Sequence, residues 1–418
     1  MLTFALNFCG THIDIMSANL KTHTAQEQAT LQQSAQQQYY DQNAQARWMA
    51  LISICLTMLI TAMTLSAVNI AVPSIARDLQ ADAVAVSWIP TTLLWGTIVL
   101  LLPASRLADI YGRKKVYLLG VSFFSAASLL VLAVNSIEAL LAVRVLQGVG
   151  SAMVFGTGVA IISSVFANAN RGSALGFTSS AVYLGLSAGP LIGGWLTEIY
   201  GWRSVFWMPI PLMLLALLLV LIVIKGDWKS DKAEKLDVLG SLIFAAWISA
   251  FFLGMSGLPD PGNVALVILG IALLLLFIKQ QGRSTHPLIR FQALRKNRVF
   301  SRSLSAGFLM YAANFPIIFL LSLYMQFIHQ MPPSEAGQLI LIQTLMMVLL
   351  APIAGRLSDR YEPRIIATSG CFCFAAGFAS LLWIDMDTSI DLIIAALVIL
   401  GIGFGLFSSP NNNAAIGS

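Results

Sequence analysis

Arg144 stands inside an otherwise apolar run, with Gln147 and Gly148 about one helical turn further on. A guanidinium in hydrocarbon carries a heavy desolvation penalty, so it normally faces a cavity or a polar partner. Its chemistry would be charge recognition rather than bond making. Most other charged groups collect in short turns. The eleven residues 105–115, SRLADIYGRKK, are wedged between two apolar runs, and residues 355–364, GRLSDRYEPR, repeat the outline. Asp109 and Arg113 can pair with each other and with neighbouring helix ends, Gly112 permits a tight turn, and Asp359 is the acid of the second copy. Two copies of one charged hairpin imply two related halves.

Nothing else in the chain offers a reaction centre. His12, His23, His286 and His329 lie in the tail or in loops, with no motif-spaced carboxylate or cysteine beside them. Cys9, Cys55, Cys371 and Cys373 form no framework; three of them sit in apolar runs and read as small packing side chains. The segment GIGFG, 401–405, lies inside an apolar run with no strand before it, and reads as close helix packing rather than a nucleotide loop. An enzyme is excluded, and neither metal nor cofactor is expected.

These residues must be positioned by helices in a bilayer. With 57% hydrophobic and 10% charged residues and a mean hydropathy of +0.80, the 418 residues have too little polar surface to clothe a soluble globule. Runs of about 20 apolar residues cross a hydrocarbon core about 30 Å thick as helices, because lipid offers backbone amides no partner. Twelve such runs follow a polar tail: 48–70, 84–103, 116–134, 137–165, 172–195, 205–224, 238–258, 264–278, 299–328, 336–354, 365–384 and 392–407. The fold class is an all-α polytopic membrane protein.

Charge orients it. With the amino terminus inside, only Arg77 and Arg203 of the 24 Lys and Arg residues fall outside, and Arg144 lies within a span. That bias is the expected one for a cytoplasmic amino terminus. The net charge of +5 needs no nucleic acid; a solvated inner face against anionic lipid suffices. Residues 25–45 read as disordered or loosely helical tail, and 279–302, with seven basic residues among Leu288, Ile289, Phe291 and Leu294, as an amphipathic segment on the inner leaflet.

Two further features complete the candidates. Gly185, Gly189 and Gly193 recur every four residues, giving a helix stripe without side chains, and Pro190 removes a backbone hydrogen bond beside it. Polar or aromatic residues inside the spans, Asn69, Trp95, Arg144, Gln147, Tyr183, Asn314, Tyr324, Gln326 and Gln343, with Met346 and Met347, would line a central cavity or pack between helices.

Together these residues resemble the major facilitator superfamily of secondary transporters. Asp109 with Gly112-Arg113-Lys114 is similar to its inter-helix loop signature, Arg144 with Gln147-Gly148 to its fourth-span motif, and 185–194 to its antiporter motif. Val68-Asn69-Ile70-Ala71-Val72-Pro73, Gly201-Trp202-Arg203 and Leu323-Tyr324-Met325-Gln326 resemble the 14-span drug:proton antiporter branch. The resemblance implies a multi-pass inner or plasma membrane protein exporting hydrophobic or cationic organic compounds, driven by the proton gradient. Asp109, Gly112, Arg113 and Asp359 would latch the inner gate, Gly189 and Pro190 would form the flexible contact between halves, and Arg144 would line the cavity. A periplasmic adaptor is not readable.

The second charged turn follows the tenth span, where a chain of two six-helix halves would have it after the eighth. Spans 7 and 8 are then an inserted pair. The division is a tail at 1–46, a first bundle at 47–226, a linker region at 227–298 and a partial second bundle at 299–418, with 12 of 14 expected spans and a carboxyl end that reads as truncated. Thr64 stands where that branch usually carries an acid, so the residues name no proton carrier. An uncoupled facilitator or metabolite exporter, or a non-transporting membrane protein, are the alternatives.

Overall fold

The computed structural model describes residues 36, 38–167, 170–229, 235–289, 291, 296–386 and 388–417. Among them are twelve long helices: α1 Ala44–Asp78, α2 Ala83–Tyr111, α3 Arg113–Leu130, α4 Ile137–Val165, α5 Arg171–Tyr200, α6 Ile210–Val223, α7 Val238–Ser256, α8 Pro261–Arg283, α9 Arg298–Phe327, α10 Pro333–Arg360, α11 Pro363–Ser380 and α12 Ile390–Gly417. Eleven pass as membrane-crossing by length and composition; α9, at 30 residues, is the other long helix. Each of the twelve apolar runs has its helix.

Asn, Asp and Ser mark the starts. Asn43, Asp82, Ser136, Asp237, Asp260 and Asn297 each accept a backbone N–H from the first turn of the helix that follows. Such caps satisfy donors that a helix start leaves open. α5 lacks one of its own: Asn170, at φ 57°, offers no side-chain cap.

Several helices outrun their apolar stretch. α2 continues to Tyr111 and α3 restarts at Arg113, so the first charged segment is almost wholly helical and turns on Gly112 alone, at φ 113°. Left-handed backbone of that kind favours glycine, and a side chain there would also collide with Asp227. The second copy breaks at Tyr361 and Glu362, with Pro363 opening α11.

Packing sorts the helices. α1 lies along α5 and α6, α4 against α2 and α3, and α12 against α9, α10 and α11. α5 packs across the two groups, on α10 and α12. α7 and α8 pack on each other, and α7 on α2, where Trp95 Nε1 donates to Ser249 Oγ at 3.1 Å and Trp88 meets Phe252 edge-on at 5.8 Å. Trp95 therefore docks the α7–α8 pair, the packing alternative of the sequence reading.

Both charged turns lie at one end. Arg113 reaches Ser164 Oγ at the close of α4, at 2.9 Å, and Lys114 N donates to Asp227 Oδ1 beyond α6, at 2.8 Å. Asp359 reaches the start of α5. The opposite end is tied by Asp78, which accepts from Trp202 Nε1 at 2.9 Å and from Arg203 at 2.8 Å, while Arg203 also donates to the Val134 carbonyl.

The helical alternative holds for the described part of the tail, at 38–42, but this helix is docked rather than loose. Residues 25–35 lie outside the described residues, but Tyr40 is fully buried. Its hydroxyl accepts from Lys225 N at 3.0 Å, and its ring stacks on Trp228 at 5.9 Å. Gln36 Nε2 donates to the Lys225 carbonyl at 2.8 Å. Apolar ring area, invisible to a composition count dominated by glutamine, holds this segment down. The amphipathic segment at 279–302 is only partly among the described residues, and Phe291 and Lys296 are helical there.

Candidate functional site: two contacts between helix groups

At the charged-turn end, α10 supplies the cap that α5 lacks. Asp359 accepts from Gly172 N at 2.6 Å through one oxygen, and from Ser173 N and Ser173 Oγ at 2.8 Å each through the other. A carboxylate on a helix amino terminus gains from open N–H donors and from the helix dipole together. Around it, Arg171 Nε donates to Asn413 Oδ1 at 2.9 Å, Asn413 Nδ2 to Ser358 Oγ at 3.1 Å, and Ser409 Oγ to the Gly172 carbonyl at 3.0 Å. Asn413 was not among the sequence candidates, because polar residues at the end of an apolar run look like ordinary helix ends.

Close backbone approach makes this contact possible. A Cβ at Gly172 would lie 2.5 Å from the Gly355 carbonyl, and one at Gly176 would lie 2.8 Å from Pro352 Cα. Further along, Ser180 Oγ donates to the Val348 carbonyl at 2.8 Å. The stripe singled out from sequence faces elsewhere: a Cβ at Gly189 would lie 2.6 Å from the Met63 carbonyl, and one at Gly193 2.7 Å from Ala67 Cβ, both on α1. Gly189 and Gly193 thus pack α5 on α1, and the close backbone approach to α10 is made by Gly172 and Gly176, with Ser180 beside them. Gly176 and Gly185 are nine residues apart, about two and a half turns, which puts them on opposite faces.

Asp109 and Arg113 form an i, i+4 ion pair at 3.0 Å across the Gly112 break, within the first group. Both are partly exposed.

Arg144 and Gln147 are fully buried. Arg144 Nε donates to the Ile89 carbonyl of α2 at 3.0 Å and its guanidinium to Gln147 Oε1 at 3.0 Å; Gln147 Nε2 donates to Ser128 Oγ of α3 at 2.8 Å. Phe206 lies 5.7 Å from the guanidinium. In this conformation the pair braces α4 to α2 and α3, the packing alternative of the sequence reading. Nη2 of Arg144 is left buried without a hydrogen-bond partner among the described residues.

Near the middle of their helices a second cluster of side chains joins the groups. The hydroxyls of Tyr183 on α5 and Tyr311 on α9 are 3.4 Å apart. Phe404 of α12 meets both rings edge-on, at 6.0 and 5.0 Å. One turn beyond Tyr311, Asn314 Oδ1 accepts from Gln343 Nε2 of α10 at 2.7 Å, with Gln343 fully buried. Tyr183, Asn314 and Gln343 were legible as candidates; Tyr311 was not, because an aromatic side chain in an apolar run reads as packing, even one turn before Asn314. Three others fall away from this cluster. Tyr324 donates to the Asp385 carbonyl and contacts His329 at the end opposite the charged turns, Gln326 is two residues beyond it, and Asn69 is exposed on α1.

The architecture is that of a polytopic helical protein whose two helix groups meet through a carboxylate cap and a mid-helix cluster. A family model for the Major Facilitator Superfamily matches residues 54–418. The chain is 31% identical over 376 residues to a riboflavin transporter of Clostridioides difficile, covering 88% of this chain and 81% of that protein. It is 31% identical over 380 residues to a puromycin resistance protein of Streptomyces alboniger, covering 88% and 75%. Its fold is similar to that of a proton:xylose symporter, with a TM-score of 0.64, 12% identity and coverage of 90% and 82%. The chain belongs to the major facilitator superfamily, and is a membrane transporter.

Proposed function

We propose that the chain exports small organic compounds, antibiotics and other hydrophobic or cationic drugs among them, by alternating access, in the 14-span drug:proton antiporter branch of its family. The single observation that carries this reading is the pair of contacts across the groups, Asp359 on the start of α5 and Tyr183 on Tyr311. A transporter of two rocking bundles needs contacts that can be made and broken between bundles, around a site near the midplane. The bodies that move are 47–226 and 299–418, with 227–298 carrying the inserted α7–α8 pair. The charged-turn end, and with it the amino terminus, faces the cytoplasm of an inner or plasma membrane. Asp109, Gly112, Arg113 and Asp359 set the inner gate, and Tyr183, Asn314 and Gln343 face substrate. The name of the resistance relative supports drugs as cargo.

A second reading is a metabolite exporter without proton coupling. It is favoured by Thr64, whose hydroxyl is held by the Ile60 carbonyl at 2.9 Å where a proton carrier would stand, and by the name of the riboflavin relative. Everted vesicles decide between them. A proton antiporter accumulates a fluorescent drug only while the inside is acid, and collapse of the gradient abolishes accumulation. Unchanged uptake after collapse overturns proton coupling, and absence of uptake for every drug and flavin tried overturns export.

A further inference from the structure

The mid-helix cluster has a chemistry more specific than an apolar drug pocket. Gln343 is fully buried, and its side-chain oxygen has no hydrogen-bond partner among the described residues. An unpaired amide oxygen in such a place costs about 1–3 kcal/mol. Its amide nitrogen is spent on Asn314 Oδ1, which leaves the Asn314 amide nitrogen beside it as a donor. The two carboxamides therefore present one acceptor and one donor side by side. Exchanging the ends of both amides leaves the same outward pair, so the conclusion does not depend on amide orientation.

The surroundings are flat and uncharged. Gly401 lets α12 lie on the Gln343 backbone, where a Cβ would be 2.5 Å from its carbonyl, and this brings Phe404, one turn on, beside the tyrosine pair. Met347, one turn after Gln343, is buried. No Asp or Glu occurs in α9, and Glu335, the acid nearest in sequence, lies in the first turn of α10, about two turns from Gln343. A cation entering here would lose its hydration without gaining a counter-charge.

We infer that this site selects uncharged planar aromatic compounds bearing a lactam or imide edge, an N–H next to a carbonyl, over cations of the same ring size. The N–H would meet the free amide oxygen of Gln343 and the carbonyl the Asn314 amide. Tyr183 and Tyr311, one on each moving body, would part to admit the ring. This rests on the export reading and narrows its substrate class.

The test is binding of two matched fluorescent probes, the neutral lactam 6(5H)-phenanthridinone and the cation 5-methylphenanthridinium, to the full chain in lipid nanodiscs by fluorescence anisotropy, with empty nanodiscs subtracted. Phenanthridinone is expected to bind at least tenfold more tightly. Gln343→Glu, which adds the missing carboxylate at constant shape, is expected to reverse the order, and Asn314→Leu to weaken phenanthridinone at least fivefold. Melting curves of each variant confirm that it is folded. Equal or tighter binding of 5-methylphenanthridinium to the native chain, or an unchanged ratio in Gln343→Glu, overturns the inference and leaves export of organic compounds standing. No saturable binding of either probe to folded protein overturns the site and the inference together.

Discussion

Asp359 caps a helix that is not its own: its carboxylate receives the Ser173 backbone N–H and hydroxyl, both at 2.8 Å, across the boundary between helix groups. Hydrogen bonds to a charged acceptor contribute about 1.5–3 kcal/mol. Asp359→Ala should therefore shift the closed-to-open ratio at this end by roughly 10- to 150-fold. Labelling of a cysteine at Asn170 by an impermeant maleimide in everted vesicles reads that ratio. Labelling at the wild-type rate contradicts the latch.

The two glycine stripes of α5 should separate function from stability. Gly176→Leu forces α5 from Pro352 of α10 and should cut export at least tenfold with a near-normal melting temperature. Gly189→Leu wedges α5 from α1 and should destabilise by about 1–3 kcal/mol, as overpacking does. Melting curves beside transport assays distinguish them, and a loss of stability confined to Gly176→Leu contradicts the assignment of faces.

Arg144→Ala removes the donor to the Ile89 carbonyl and leaves Gln147 Oε1 without its partner. Stranded buried acceptors cost about 1–3 kcal/mol each, so the variant should insert but melt lower and lose export. Arg144→Lys should rescue little, since one ammonium cannot reproduce the fork. A melting temperature equal to wild type contradicts the brace.

These outcomes bear on what could be read in the residues alone. Runs of apolar side chains and the placement of Lys and Arg made twelve helices and a common end for the charged turns legible, because hydrocarbon dictates both. Which face of a helix meets which neighbour was not legible: Gly176 and Gly189 look alike in a string, and only their angular separation on α5 sends one to α10 and the other to α1. The bond from Arg144 to the Ile89 carbonyl was not legible, because a backbone acceptor leaves no mark in a string of residues. Tyr40 was hidden by its glutamine-rich surroundings.

Asp237 gives a pH dependence. Partial burial pushes its carboxyl up, but N–H donors from Gly240, Gln280 and Gln281 with the Ser284 hydroxyl outweigh this and hold it below the usual carboxylate range. A depressed folded-state value stabilises fully above the ordinary carboxylate range near 4, and that contribution is lost as pH falls through the lower value. The melting temperature advantage of wild type over Asp237→Asn should be constant above about pH 5 and shrink below about pH 4. An advantage that grows on acidification contradicts this account of the α7–α8 hairpin.

The tail segment should be structural. Tyr40→Ala empties the space against Trp228 and removes the acceptor for Lys225 N, and large-to-small changes of this kind cost about 3–5 kcal/mol in well-packed sites. Trypsin cleavage at Lys225 should then accelerate, and unchanged cleavage contradicts docking of the tail.

The claim on which the rest turns is that α5 and α10 part during each transport cycle. Ser180 and Val348 touch across that boundary. In a chain with Cys9, Cys55, Cys371 and Cys373 replaced by serine, cysteines at these two positions can be joined by a short bifunctional thiol reagent. Joining them should abolish drug uptake into everted vesicles, and a reducible version of the reagent should restore it on reduction. Uptake by the joined protein at the unjoined rate would contradict the account.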